Sequence, residues 1–238
     1  MPNSAAVPGR PRSRDAAGLP AVTPDGIVAA ALDLTAHHGL ESWTLRQLAA
    51  AVQAYPAVIY HHVGDRESVV RAVVDRVIGM FPLPSEQLPW RDWFRALAVE
   101  LRTVLSRFPG VARRISVQGL TPEAAAPSID RGMRVLQDAG FGDESAEIYR
   151  FLTNVICHLI SVEDEHNRHA EQHARDLAAW SRHSDDTARP GLAAMSASLR
   201  AIAEDPRRRE THFADTFDYA IERCLDGIEA RLEVMRRR

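Results

Sequence analysis

Apolar side chains recur at helical spacing along almost the whole chain, and residues that end helices sit between the stripes. Ile27, Ala30, Ala31 and Leu34 share one face. Thr23-Pro24-Asp25 ahead of them supplies an N-cap, a proline at the first helical position and a first-turn acid. Gly39 suits the far end, so the pattern predicts a helix over 24–38. Thr44 and Gln47 have capping-box spacing, and Leu45, Leu48, Ala49 and Val52 form the next apolar face. Gln53-Ala54-Tyr55 is long enough only for a turn, and Pro56 opens a short helix to about His62, with Ile59 and Val63 inward. Asp65 caps a fourth helix, 66–79, striped with Val70, Val73, Val74 and Val77.

Phe81-Pro82-Leu83-Pro84 interrupts the pattern and marks a boundary. Beyond it the same logic predicts helices over 90–107, 111–118, 122–139, 143–162, 191–204 and 208–235. Residues 163–189 lack a stripe and are expected to be a polar connection. No strand alternation and no internal repeat occurs, so the fold class is all-α. The expected organisation is an arm over 1–22, a helix-turn-helix domain over 23–80 and a helical domain over 81–238.

Composition narrows the function. At 238 residues, 45% hydrophobic and 26% charged, the chain has ordinary globular composition. No apolar run approaches the ~20 residues of a membrane span. The arginines of the N-terminus precede no apolar segment, so no signal peptide and no membrane partner are expected. Cys157 and Cys224 fall inside helical patterns and read as buried thiols, which fits a cytoplasmic protein. Every basic side chain other than histidine is arginine, the better group for bidentate contacts to phosphate and guanine. Residues 1–80 hold seven Arg and seven Asp or Glu, so any field that attracts DNA is local. Arg10, Arg12 and Arg14 lie in the arm, which reads either as a solvated tail or as a segment reaching a DNA groove or backbone.

Thr44-Leu45-Arg46-Gln47-Leu48-Ala49, then Ile59-Tyr60-His61-His62-Val63 and Gly64-Asp65-Arg66-Glu67, resemble the TetR/AcrR family of bacterial transcriptional regulators. The resemblance covers residues 23–79 with all spacings kept. It departs at Gln53, where the family's turn has glycine, and at Tyr55, where the recognition helix begins with Ser or Thr. It implies a helix-turn-helix regulator, usually a repressor, whose homodimer binds a double-stranded DNA operator. Arg46 would reach a guanine edge or a phosphate, and Tyr55, Pro56 and Ala57 would touch bases. Thr44, Tyr60, His61, His62 and Arg66 would contact phosphate oxygens and set the register.

In the second half, helices 143–162 and 208–235 are the most apolar late segments and are expected to form the dimer face. The others would enclose a site for a largely apolar small-molecule effector. Its expected lining is Phe94, Leu97, Phe108, Met133, Leu136, Phe151, Asn154 and His158. Asn154 and His158 are four apart, on one helical face among apolar neighbours. A competing reading is metal sensing through His166, His169 and His173 with Glu163 and Glu165 nearby, although no cysteine joins them and the HExxH order is missing. No phosphate loop, nucleophile elbow or paired-carboxylate frame points to an enzyme, and no cofactor is implied.

Overall fold

The computed structural model describes residues 21–237. Eleven α-helices and one short 3-10 turn make up its regular structure, with no strand among the described residues. The first four are α1 (Pro24–His38), α2 (Leu45–Ala51), α3 (Pro56–His62) and α4 (Arg66–Ile78). Then follow α5 (Trp90–Leu105), α6 (Val111–Gln118), α7 (Pro122–Ala139), α8 (Ser145–Arg168), α9 (Ala170–Ser181), α10 (Pro190–Glu204) and α11 (Pro206–Arg236). All but α8, which runs on to Arg168, and α9 lie within a few residues of the ranges the pattern predicts. The arm expected over 1–22 falls outside the described residues except at its end, where Val22 packs on the core.

The helix ends follow from the residues that make them. Thr23 accepts from the Gly26 N–H at 3.1 Å and Asp65 from Ser68 at 2.8 Å. Thr121 caps α7, and its hydroxyl also donates to Asp75 of α4 at 3.0 Å. The final helix starts two residues earlier than its stripe predicts, because Asp205 caps it ahead of Pro206.

One apolar core runs through the described residues. Near the N-terminus it holds Ile27, Ala31, Leu40, Trp43, Leu48, Ile59 and the valines of α4. Trp43 is buried there, and its Nε1 donates at 2.9 Å to Thr35, which donates in turn to the Ala31 carbonyl at 2.8 Å. A buried indole is thus accommodated without an orphaned donor. In the larger half α5 packs between α7, α8 and α11 through Trp93, Phe94, Leu97 and Leu101. Gly132 lets α7 approach α8 closely: a Cβ at that position would lie 2.5 Å from the Tyr149 ring.

Helices α5 and α11 are also tied by charge. Arg91 reaches Glu222 and Glu229, each at 2.9 Å, and Arg95 also binds Glu222. The hydrogen bond from Arg95 holds the Glu222 carboxyl at about 2, below the usual carboxylate range.

Candidate nucleic-acid interface and sensing region

Helices α2 and α3 are joined by a hydrogen-bonded turn. The capping box forms as its spacing predicts: Thr44 N–H donates to Gln47 Oε1 at 2.8 Å, and Gln47 N–H to Thr44 Oγ1 at 3.3 Å. At the other end of α2, Gln53 N–H donates to the Ala50 carbonyl at 3.0 Å and Ala54 N–H to the Ala49 carbonyl at 2.8 Å. That pair of bonds is a Schellman closure. It places Gln53 at φ 52°, the one non-glycine residue with positive φ among the described residues. The chain therefore makes the turn that glycine usually makes, with some backbone strain.

Helix α3 has no side-chain cap at Tyr55 and begins with Pro56. It buries Ile59 completely and leaves Tyr55, Pro56, Ala57, Tyr60, His61 and His62 exposed. Tyr55 is 80% and Tyr60 56% accessible, and a monomer gains nothing by displaying two aromatic rings so fully. Arg46 is exposed on α2 beside this ridge, with no hydrogen bond or ion pair to the described residues. Thr44 is spent on capping its own helix, although its side chain stays exposed.

Arg66 departs from expectation. Its Nη2 donates to the Leu40 carbonyl at 2.8 Å, its Nε to the Trp43 carbonyl at 3.3 Å, and its Nη1 lies 3.5 Å from Glu41. The guanidinium also stacks over the Trp43 ring, 4.8 Å from its centroid. With its donors turned to the 40–43 loop, Arg66 braces the reading head, while its side chain stays partly exposed.

That same loop joins the head to the larger half. Leu40 N–H donates to the Pro109 carbonyl at 2.8 Å, and Gly110 N–H donates to Asp164 of α8 at 2.9 Å. Burial raises the Asp164 carboxyl to about 6, against the opposing effect of the Gly110 bond. Arg114 of α6 pairs with Glu67 of α4 a turn away. The α5–α6 connection is thus clamped between α8 and the head.

The expected effector lining does not gather around one cavity. Phe94, Leu97, Phe108 and Leu136 are buried in the packed core, and Met133 is half-buried. Phe151, Asn154 and His158 face outward along α8, away from that core. The apolar spacing of α8 is helical, but a stripe wide enough for two faces does not say which face turns inward. Phe151 is 48% accessible and, with Ile148, Cys224, Gly227 and Ile228, lines a shallow apolar depression between α8 and α11 of about 410 Å³. This is the surface on which a second copy was expected.

The histidine cluster is likewise dispersed. His166 stacks on His173 at 3.7 Å, whereas His169 turns to Glu165 at 3.2 Å. No group of three ligating side chains suited to a metal occurs among the described residues. The metal-sensing reading is set aside on that geometry.

Residues 163–189 hold what the pattern did not indicate. They continue α8 by two turns and then form α9, where Ala170, Ala174, Ala178 and Ala179 supply helix propensity without a stripe. The α9–α10 hairpin stands off from α8 and the start of α11, and a cleft of about 1120 Å³ opens between them. The only signal for it in the sequence was the histidine spacing of 166 and 173.

Among known proteins, residues 27–73 match the family described as bacterial regulatory proteins, tetR family, and residues 82–232 match the tetracyclin repressor-like C-terminal domain. An HTH-type transcriptional regulator of Saccharopolyspora erythraea is 36% identical over 124 residues, 52% of each chain, so this chain spans about half of that relative's length. Apo ActR from Streptomyces coelicolor has the same fold, with TM-score 0.73, 21% identity, and 90% of this chain and 99% of that one covered. ActR in complex with actinorhodin superposes with TM-score 0.68 at 23% identity, covering 88% and 96%. No helix among the described residues is long and apolar enough to cross a membrane. With both family profiles matched over most of its length, a capped helix-turn-helix at its head and an all-helical remainder, the chain belongs to the tetR family of bacterial transcription regulators, which are not enzymes.

Proposed function

We propose that this protein is a repressor that binds a pseudo-palindromic DNA operator as a homodimer and is released by a small molecule held in its C-terminal half. Residues 23–80 act as the DNA-binding domain and residues 81–238 as the sensing and dimerisation domain. The observation that carries the reading is the exposed ridge of Tyr55, Pro56, Ala57 and Tyr60 on a helix anchored underneath by Ile59, with the unpaired Arg46 beside it. Tyr55 and the small groups at 56 and 57 meet base edges and thymine methyls, Arg46 takes a guanine or a phosphate, and Tyr60, His61 and His62 meet the backbone.

A helix as short as α3 reads few base pairs, so two heads on one dimer are needed for a specific site, with half-sites about 34–36 Å apart. The outward row of Phe151, Asn154 and His158 on α8, with Phe151 beside Cys224 and Gly227 of α11, supports that pairing. A ligand-bound relative of the same fold, ActR with actinorhodin, supports a small-molecule effector. The effector favours the conformer whose heads are wrongly spaced for DNA, and differential affinity for the two states is what releases the operator.

The test is a binding assay on DNA flanking the chain's own coding region. Wild type binds one segment in preference to scrambled DNA. Tyr60→Ala folds normally and weakens that binding, while Arg46→Ala relaxes discrimination at one base pair per half-site by about 1–3 kcal/mol. Equal affinity for all sequences by the folded protein overturns the reading.

A further inference from the structure

Besides its contacts through α4, the head meets the body at a small polar joint. Leu40 N–H donates to the Pro109 carbonyl, and the next residue, Gly110, donates to Asp164 of α8. Arg168, one turn further along α8, closes the third side. A Cβ at Gly39 would lie 3.4 Å from Arg168 Nη2 and 3.4 Å from the Pro109 carbonyl oxygen, and one at Gly110 would lie 3.3 Å from Leu40 Cβ. The head loop, the α5–α6 corner and α8 thus pack so closely that a glycine stands at each contact, both at positive φ.

Asp164 is the group on which this joint turns. It is buried and makes no ion pair among the described residues, and Gly110 supplies the one hydrogen bond its side chain has there. The cations around it are mostly engaged. Arg102 of α5 holds Glu163, Arg114 of α6 holds Glu67 of α4, and Arg168 lies 3.5 Å from Glu165. Glu41 of the head loop and Arg113 of α6 complete the charged lining of a cleft of about 280 Å³ that borders Asp164. Arg113 is exposed there, without a pair among the described residues. Burial raises the Asp164 carboxyl to about 6, and the charges of Glu163 and Glu165 add to that effect, while the Gly110 bond and Arg168 oppose it.

We propose that this joint is a proton-operated latch between the body and the reading head. With its proton on, Asp164 sits in the joint at no charge cost and keeps the α5–α6 corner and the head loop docked on α8. As a carboxylate it regains solvation only if the joint opens, so water and Arg113 move into the cleft and the corner and loop come away. Docking is strongest below the ordinary 3.8 of an exposed carboxyl and weakens as pH rises through 6. At neutral pH the latch is therefore set near release, and acidification docks the head. The latch is a property of the fold; its consequence for DNA, a looser spacing of the two heads at neutral pH, rests on the regulatory reading above.

The experiment is amide hydrogen exchange on the full chain without DNA, at pH 5 and pH 7, with the intrinsic exchange rate at each pH divided out. In wild type, protection across residues 39–43 and 108–112 falls by about tenfold from pH 5 to pH 7, the ratio that follows from a carboxyl at about 6 when docked and 3.8 when released. At pH 7 both segments exchange well ahead of the buried stretch from Trp93 to Leu97 in α5, so the opening is local. Asp164→Asn keeps an acceptor for Gly110 and cannot ionise, and its protection at the two segments is the same at both pH values. The latch is overturned by wild-type protection that does not change with pH, by an equal fall in Asp164→Asn, or by segments that match the α5 core throughout. The wild-type comparison stands even if the variant folds poorly. Because no DNA is present, a failure to find an operator leaves this result readable on its own.

Discussion

The reading head and the α9–α10 hairpin are both short-helix structures, yet they are held in opposite ways. In the head, a seven-residue helix is fixed by its buried Ile59, by packing on α2 and by a closed Schellman turn at its start. A helix of that length has no stability of its own, so every bracing contact sets the angle at which Tyr55 and Tyr60 face outward. In the hairpin, α9 and α10 are about twice as long and rely on local propensity, and their apolar residues remain half-buried around an open cleft. Rigid support suits a surface that must match a fixed DNA geometry. Incomplete packing leaves the hairpin easier to displace than the head.

The sharpest way to break the comparison is to remove an anchor from each side. Trp43→Ala leaves a cavity and removes the donor to Thr35 Oγ1, and is expected to cost about 3–5 kcal/mol in denaturant unfolding. Leu199→Ala at the half-buried wall should cost far less. Equal losses would mean that the hairpin is as firmly packed as the head.

Pairing of the two copies comes next. Phe151→Glu puts a charge into the depression between α8 and α11, and sedimentation is expected to show a monomer. Operator affinity then falls by at least about a hundredfold, as half of the base contacts are lost. A dimer that survives this change would move the interface elsewhere.

The joint between the two regions is sensitive to pH through Asp164. Its folded value of about 6 lies above the ordinary 3.8, so the folded state favours the neutral carboxyl. The stabilisation is complete below about pH 4 and fades as pH rises through 6. Asp164→Asn keeps an acceptor for Gly110 and removes the buried charge. It should raise Tm at pH 7.5 by an amount equivalent to about 1–2 kcal/mol, with the difference from wild type closing below pH 4. No gain at pH 7.5 would mean that the charge is well solvated. The Glu222 pair with Arg91 and Arg95 works in the other direction, with its support present above about 4.5 and lost as pH falls towards about 2.

The smallest effect is expected at the turn. Gln53→Gly relieves the left-handed backbone but loosens the unfolded chain, for a net gain of about 0.5–1 kcal/mol. A loss of stability there would show that the Gln53 side chain contributes more than its backbone strain costs.

The sequence by itself determined the helices and how they end. Thr23, Thr44, Asp65 and Thr121 cap the helices their spacing indicated, because capping is a contact over three residues. The head was legible as a unit for the same reason: its motif is local, and the exposed face of α3 follows from the one side chain that must be buried. Tertiary structure alone decided the rest. It turned Arg66 inward to carbonyls 23 and 26 residues away, and it turned Phe151, Asn154 and His158 out of the core. It also opened a cleft beside residues that carry no stripe. Those outcomes depend on which helix packs against which, and periodicity along one helix carries no information about its neighbour.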